Sequence, residues 1–175
     1  RKAAGLGVAS LKKDNERYEH KYEYCDLLVT GSGPGGLASA YAAAKNGAKV
    51  ILAEDKPRFG GSLLTDDVTI DNLSGKAWTD KIISELKEMP NVIVKNRSQV
   101  FGYYDHNMTV MFERTGDHLE KKSKYTPRQR LWYIRAKEVL LSTGSIERPI
   151  VFGNNDTPGV FLSAAAKEYM KVYGV

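Results

Sequence analysis

Apolar positions along the chain alternate between two kinds of run. "DLLVT" (Asp26 to Thr30), "KVILAE" (Lys49 to Glu54) and "NVIVK" (Asn91 to Lys95) are short and unbroken, the pattern of strands buried on both faces of a parallel sheet. Between them apolar residues recur at helical spacing. Leu37, Ala40, Tyr41 and Ala44 follow Pro34 and stop at Asn46-Gly47, and Trp78, Ile82, Ile83, Leu86 and Met89 stop at Pro90. Strand, helix, strand units follow, with parallel strands joined by right-handed crossovers.

The pattern changes after Lys95. "QVFGYY" (Gln99 to Tyr104), "MTVMFE" (Met108 to Glu113) and "RLWYIR" (Arg130 to Arg135) alternate in the manner of half-buried strands, with "YDHN" as a turn, and predict an antiparallel meander. The charged stretch "GDHLEKKSKYTPRQ" reads as a surface loop. "AKEVLLSTG" (Ala136 to Gly144) returns to the parallel sheet, and "SAAAKEYMKVYG" (Ser163 to Gly174) predicts a C-terminal helix. Residues 1–24 are polar and weakly periodic, an arm or linker. Residues 25–175 are expected to form one α/β domain, a Rossmann-like parallel sheet with a three-stranded antiparallel meander. The chain opens on Arg1 and halts on Gly174-Val175, so the domain is expected to be incomplete and to continue beyond residue 175.

The chemistry concentrates where the first strand ends. In "GSGPGG", Gly31 allows a tight turn out of the strand, Gly33 lacks a side chain where a pyrophosphate would approach, and Gly36 lets a helix pack against the sheet. Pro34 suits the first helical turn. The helix start offers free N–H groups and about half a positive charge, the complement of a diphosphate. Glu54 closes the second strand 18 positions beyond Gly36, where a carboxylate accepts hydrogen bonds from ribose hydroxyls. That carboxylate repels a 2′-phosphate, so NAD or FAD is preferred over NADP, although Lys56 and Arg58 stand close behind it. Further candidates are Gly61 of the pair Gly60-Gly61, Ser62 beside it, and Thr143 and Gly144 at the carboxyl edge of a later strand. Val100 is a candidate lining of the adenine slot.

Charge and composition narrow the field. The net charge is +5, gathered in Arg1 to Lys21 and Lys121 to Arg135, which reads as a solvated tail and loop or a face for an acidic partner. No nucleic-acid module is visible. Cys25 stands alone, which excludes an internal disulfide, and His20, His106 and His118 are scattered, so no metal set is expected. No run of 18 to 20 apolar residues exists, and the expected setting is cytoplasmic, away from membranes.

A glycine turn, a glycine pair, a meander and a closing "STG" strand, in that order, resemble the FAD/NAD(P)-binding domain of the glutathione-reductase-like flavoprotein superfamily. More narrowly, "RYEHKYEYCDLLVTGSGPGGL", "GYYDHN" and "ERPIVFGNNDTPGV" resemble the alpha-subunit family of heterotetrameric sarcosine oxidases. The resemblance implies an oxidoreductase subunit in a complex that oxidatively demethylates sarcosine and passes the one-carbon unit to tetrahydrofolate. It implies NAD in the alpha subunit, with FAD as the alternative, and flavin chemistry shared with other subunits. By position, Gly31, Gly33, Gly36, Glu54, Gly61, Ser62, Thr143 and Gly144 would contact the dinucleotide.

Two departures matter. Disulfide reductases of the superfamily carry a cysteine pair soon after the glycine doublet, and "GGSLLTDDVT" has none, which excludes thiol exchange here. His106 lies in a predicted turn, and no nucleophile, base and orienter set is visible, so no residue is nominated as catalytic and the segment alone is expected to be inactive. A nonredox nucleotide-binding assembly module, or a subunit of an FAD-dependent opine or proline dehydrogenase, are the alternative readings.

Overall fold

A computed structural model describes residues 9–175; the first eight residues of the expected arm lie outside the described residues. The elements in chain order are β1 (Tyr18–Thr30), α1 (Pro34–Lys45), β2 (Val50–Ala53), β3 (Thr69–Ile70), β4 (Leu73–Ser74), α2 (Gly75–Glu88), β5 (Val92–Lys95), β6 (Ser98–Tyr104), β7 (Met108–Arg114), β8 (Gln129–Leu141) and α3 (Ser163–Lys171). A six-stranded sheet runs β5-β2-β1-β8-β7-β6, parallel from β5 to β8 and antiparallel from β8 to β6. The fold class is the one expected: a mostly parallel α/β sheet with an antiparallel meander.

β5 and β6 stand at opposite ends of that order, yet only Asn96 and Arg97 separate them in the chain. The sheet therefore folds back, and the Ser98 N–H at the start of β6 donates to the Glu54 carbonyl beyond the end of β2 (2.8 Å). This lays the meander over one face of the parallel strands while α1 and α2 cover the other. Each parallel strand then needs apolar side chains on both faces. In β2, Val50 and Leu52 join Leu37, Ala40, Trp78, Ile82, Ile83 and Leu86 on the helical side. Ile51 and Ala53 join Leu28, Met111, Trp132 and Ile134 on the meander side.

Local signals set the element ends. Ser74 caps α2 by accepting the Ala77 N–H (3.3 Å), and Pro90 follows the helix. Pro34 occupies the first turn of α1, whose stop comes at Asn46 and a left-handed Gly47. α3 is shorter than expected, ends at Lys171 and buries none of its residues.

Two expectations are corrected. The stretch read as an arm is strand from Tyr18 onward. Tyr18, His20, Tyr22 and Tyr24 alternate with Glu19, Lys21 and Glu23, a period of two obscured by charge. The charged positions find partners: Glu19 meets Arg130 (3.0 Å), Glu23 meets Lys49 (2.8 Å), and the Lys21 ammonium lies 4.2 Å from the centre of the Trp132 ring. Likewise, the last meander strand and the returning parallel strand are one element. β8 pairs with β7 on one edge through Gln129–Arg135 and with β1 on the other along its whole length. No turn residue interrupts it at Arg135-Ala136.

Glu113 joins the layers. It is 7% exposed, and its carboxylate accepts from the Lys95 ammonium (3.0 Å), the Arg130 guanidinium (3.0 Å) and the Trp132 indole N–H (2.6 Å). Burial acts to raise its pKa, but Lys95, Trp132 and Arg130 together hold it below the usual carboxylate value. A depressed value means stability that is present above the unfolded-state pKa of about 4.3 and is lost as the pH falls through the folded one. Thermal denaturation from pH 7 to pH 3 should therefore show a falling midpoint below about pH 4.3, with a shallower fall in Glu113→Gln. Glu113→Ala, which leaves the Lys95 ammonium without its carboxylate and Arg130 with Glu19 alone, should cost about 3 kcal/mol at neutral pH in urea titration.

Candidate functional site

Three backbones meet at the carboxyl end of β1 with no room for side chains. Gly31 has φ +99°, and a Cβ there would stand 2.2 Å from the Ser142 carbonyl oxygen. A Cβ on Gly36 would stand 2.1 Å from the Gly31 carbonyl oxygen and 3.2 Å from Ser142 Oγ. Gly33 differs. Its backbone (φ −66°, ψ −179°) is open to any residue, and a Cβ there would have nothing within 4 Å. Gly31 and Gly36 are thus glycine because the fold is tight, and Gly33 borders a space that the fold leaves open.

That space is electropositive. Gly33 caps α1 without a side-chain hydrogen bond, and Pro34 has no N–H to offer. Among the described residues, no acceptor takes the N–H groups of Gly33, Gly35 or Gly36. Unpaired amides at a helix start, next to an unfilled floor, fit a diphosphate. Gly61 closes one side: it has φ +54°, and its missing Cβ would lie 3.0 Å from the Gly33 Cα. Ser62 follows it in a short 3-10 turn, Gly61–Leu64, and is exposed.

Glu54 is buried and turned toward the glycine turn. One carboxylate oxygen accepts both the N–H (2.9 Å) and the hydroxyl of Ser32, and the other accepts the Lys56 N–H (3.0 Å). An ionised carboxylate has about four acceptor positions, so these three donors leave one for a ribose hydroxyl. Ser32 also takes the Gly60 N–H on its carbonyl (3.1 Å) and hydroxyl (3.2 Å), which fixes the glycine pair against the turn.

The end of β8 forms the opposite wall. The Ser142 N–H donates to the Thr30 carbonyl (2.8 Å), and the Thr143 Cα lies 3.4 Å from where a Gly31 Cβ would stand. Gly144, at φ +71°, is exposed beside them. Thr30 has a buried hydroxyl with no hydrogen-bond partner among the described residues. The structure thus gathers Gly31, Gly33, Pro34, Gly36, Glu54, Gly61, Thr143 and Gly144 at one edge of the sheet. Val100 is half-buried and packs against the meander-side core. Ser32 and Ser142 were not singled out from the sequence. Ser32 is an unspecified position of the glycine motif, and Ser142 stands just before the Thr143-Gly144 pair.

Other groups lie apart from this edge. Cys25 is fully buried in the meander-side core, where burial pushes its thiol up to about 12, so it stays protonated and inert. His106 is exposed at φ 58° in the turn between β6 and β7. Among the described residues no helix is long and apolar enough to cross a membrane.

A doubly covered parallel sheet with a glycine turn, a bare helix start and a strand-end carboxylate is a dinucleotide-binding architecture. The family model of FAD dependent oxidoreductases matches residues 26–123, and the chain belongs to that family. Over its whole length it is 46% identical to the sarcosine oxidase alpha chain of Rhizobium meliloti (strain 1021), of which it spans 18%. Over 87% of its length it is 27% identical to an opine oxidase chain of Agrobacterium tumefaciens (strain Ach5), spanning 30% of that protein. In structure it resembles L-proline dehydrogenase from P. horikoshii, with a TM-score of 0.71 and 26% identity over 90% of this chain and 30% of that one. The chain therefore spans less than a third of the length of each of these relatives.

The two kinds of glycine predict opposite outcomes. Gly31→Ala forces a side chain into a left-handed backbone and the Ser142 carbonyl, and should cost about 2 kcal/mol or more in denaturant titration. Gly33→Ala should leave the midpoint within about 0.5 kcal/mol of the parent.

Proposed function

We propose that this chain is the dinucleotide-binding domain of a multi-subunit amine-oxidising enzyme of the sarcosine oxidase type. The observation that carries the reading is the open floor at Gly33 facing unpaired amides at the start of α1. The diphosphate would lie across Gly31 to Gly36, Gly61 would admit it at close range, and Glu54 would accept from the ribose. Ser62 and Thr143 would donate from either side, and Val100 would border the adenine.

These residues would hold the ADP half that FAD and NAD share. The family match supports FAD, and NAD is what the sequence resemblance to sarcosine oxidase alpha subunits implies. A bound flavin or nicotinamide supplies the two-electron acceptor for amine oxidation. The chain's own part is to bind, orient and exclude: the amides fix the diphosphate, Glu54 fixes the sugar, and the negative charge of Glu54 disfavours a 2′-phosphate. Sarcosine as substrate and an assembly with other subunits complete the proposal, and similarity to the alpha chain of a sarcosine oxidase supports both. Tetrahydrofolate as one-carbon acceptor, a heterotetramer and a cytoplasmic setting are carried by the sequence resemblance alone.

Mass spectrometry and absorbance of the ligand released from the intact polypeptide should identify FAD or NAD. In Gly33→Val the new side chain occupies the open floor, so nucleotide binding in calorimetry should fall by at least about a hundredfold while circular dichroism stays unchanged. Undiminished affinity in that variant would overturn the placement of the diphosphate.

A further inference from the structure

We propose that Glu168 is a specificity-determining residue of the nucleotide site, because it pairs with Lys56 and withholds that cation from a 2′-phosphate. The inference rests on the dinucleotide reading given above and concerns which dinucleotides the site refuses.

Two cations, Lys56 and Arg58, follow the ribose carboxylate Glu54 in the chain, where a positive side chain can neutralise the 2′-phosphate of NADP. Both are engaged from the far end of the sequence. The Lys56 ammonium lies 2.9 and 3.0 Å from the two carboxylate oxygens of Glu168 in α3. The Arg58 guanidinium donates to the Val172 carbonyl just past that helix (2.9 Å). α3 is also tied to the segment after the glycine pair, by Lys167 with Asp66 (3.1 Å) and Lys171 with Asp67 (3.0 Å). None of the helix's residues is buried, and Lys167 and Lys171 hold it to this segment independently of Glu168.

The position of Glu168 matters because Lys56 is already bound to the ribose carboxylate through its backbone: its N–H donates to Glu54 (3.0 Å). Glu54, Lys56 and Glu168 therefore form one chain of contacts. Exposed ion pairs contribute only about 0–1 kcal/mol each to stability, so the pair is not required to hold the fold. Its effect on a ligand is larger, since the Glu168 carboxylate occupies and neutralises the ammonium that a 2′-phosphate would need. The Lys56 ammonium is held above its usual pKa, first through its hydrogen bond to Glu168, and it remains charged and paired at neutral pH.

The test uses ADP-ribose and 2′-phospho-ADP-ribose as matched probes, with calorimetry on the intact polypeptide freed of bound cofactor. The parent protein should bind ADP-ribose and discriminate against the phosphorylated probe. Glu168→Gln should reduce that discrimination about tenfold, the worth of one charge-assisted contact to phosphate, by improving affinity for the phosphorylated probe alone. Adding Lys56→Met to Glu168→Gln should abolish the gain. Unchanged discrimination in Glu168→Gln, with ADP-ribose still bound, would overturn the role of Glu168 and leave the nucleotide site standing. Failure of the parent to bind either probe would overturn the nucleotide reading and this inference with it.

Discussion

The structure depends on a steric constraint at one corner: the end of β1, the start of α1 and the end of β8 approach until no Cβ fits between them. Gly31 and Gly36 satisfy it, and backbone carbonyls, of Ser142 and of Gly31 itself, fill the space their side chains would have taken. Because these backbones touch, α1 is aimed with its amino end at the sheet edge and its first amides uncovered. The electrostatic character of the edge is thus a by-product of packing, without a dedicated cationic side chain. Glu54 completes the corner from β2 by tying Ser32 in place, so the residue read as a sugar ligand also braces the turn.

The meander contributes by making the parallel strands two-sided. Leu28, Ile51 and Ala53 would face solvent without Met111, Trp132 and Ile134. The polar centre of that layer, Glu113 with Lys95, Arg130 and Trp132, shows how a carboxylate is accommodated beside an apolar core: every charge has a partner of opposite sign and a defined direction. This polar cluster lies beneath the sheet, apart from the glycine corner at its carboxyl edge.

Much of this was legible in the sequence for physical reasons. Unbroken apolar runs announce strands covered on both faces, and the period of Trp78, Ile82, Ile83 and Leu86 announces a helix with one buried face. The glycine motif located the turn, since few other sequences satisfy both a left-handed Gly31 and a side-chain-free Gly36. What escaped is equally physical. The first half of β1 is charged, and its role as a strand depends on Arg130, Lys49 and Trp132, partners remote in sequence. The continuity of β8 is set by pairing with two neighbours at once, and Ser142 owes its position to that pairing. The carboxylate of Glu54 was placed correctly at the strand end, while its engagement by Ser32 required knowing how the turn folds.

The pairing of β1 with β8 also governs the order in which the domain can assemble. Glu19 and Arg130, which meet across these strands, are 111 residues apart in sequence. During synthesis, β1, α1 and β2 leave the ribosome long before their second neighbour exists, and β1 spends that interval as an open, tyrosine-rich edge. Contacts of such sequence separation slow folding. The corner at Gly31 gains its final wall only when β8 docks, so the proposed nucleotide site would be completed among the last events of maturation.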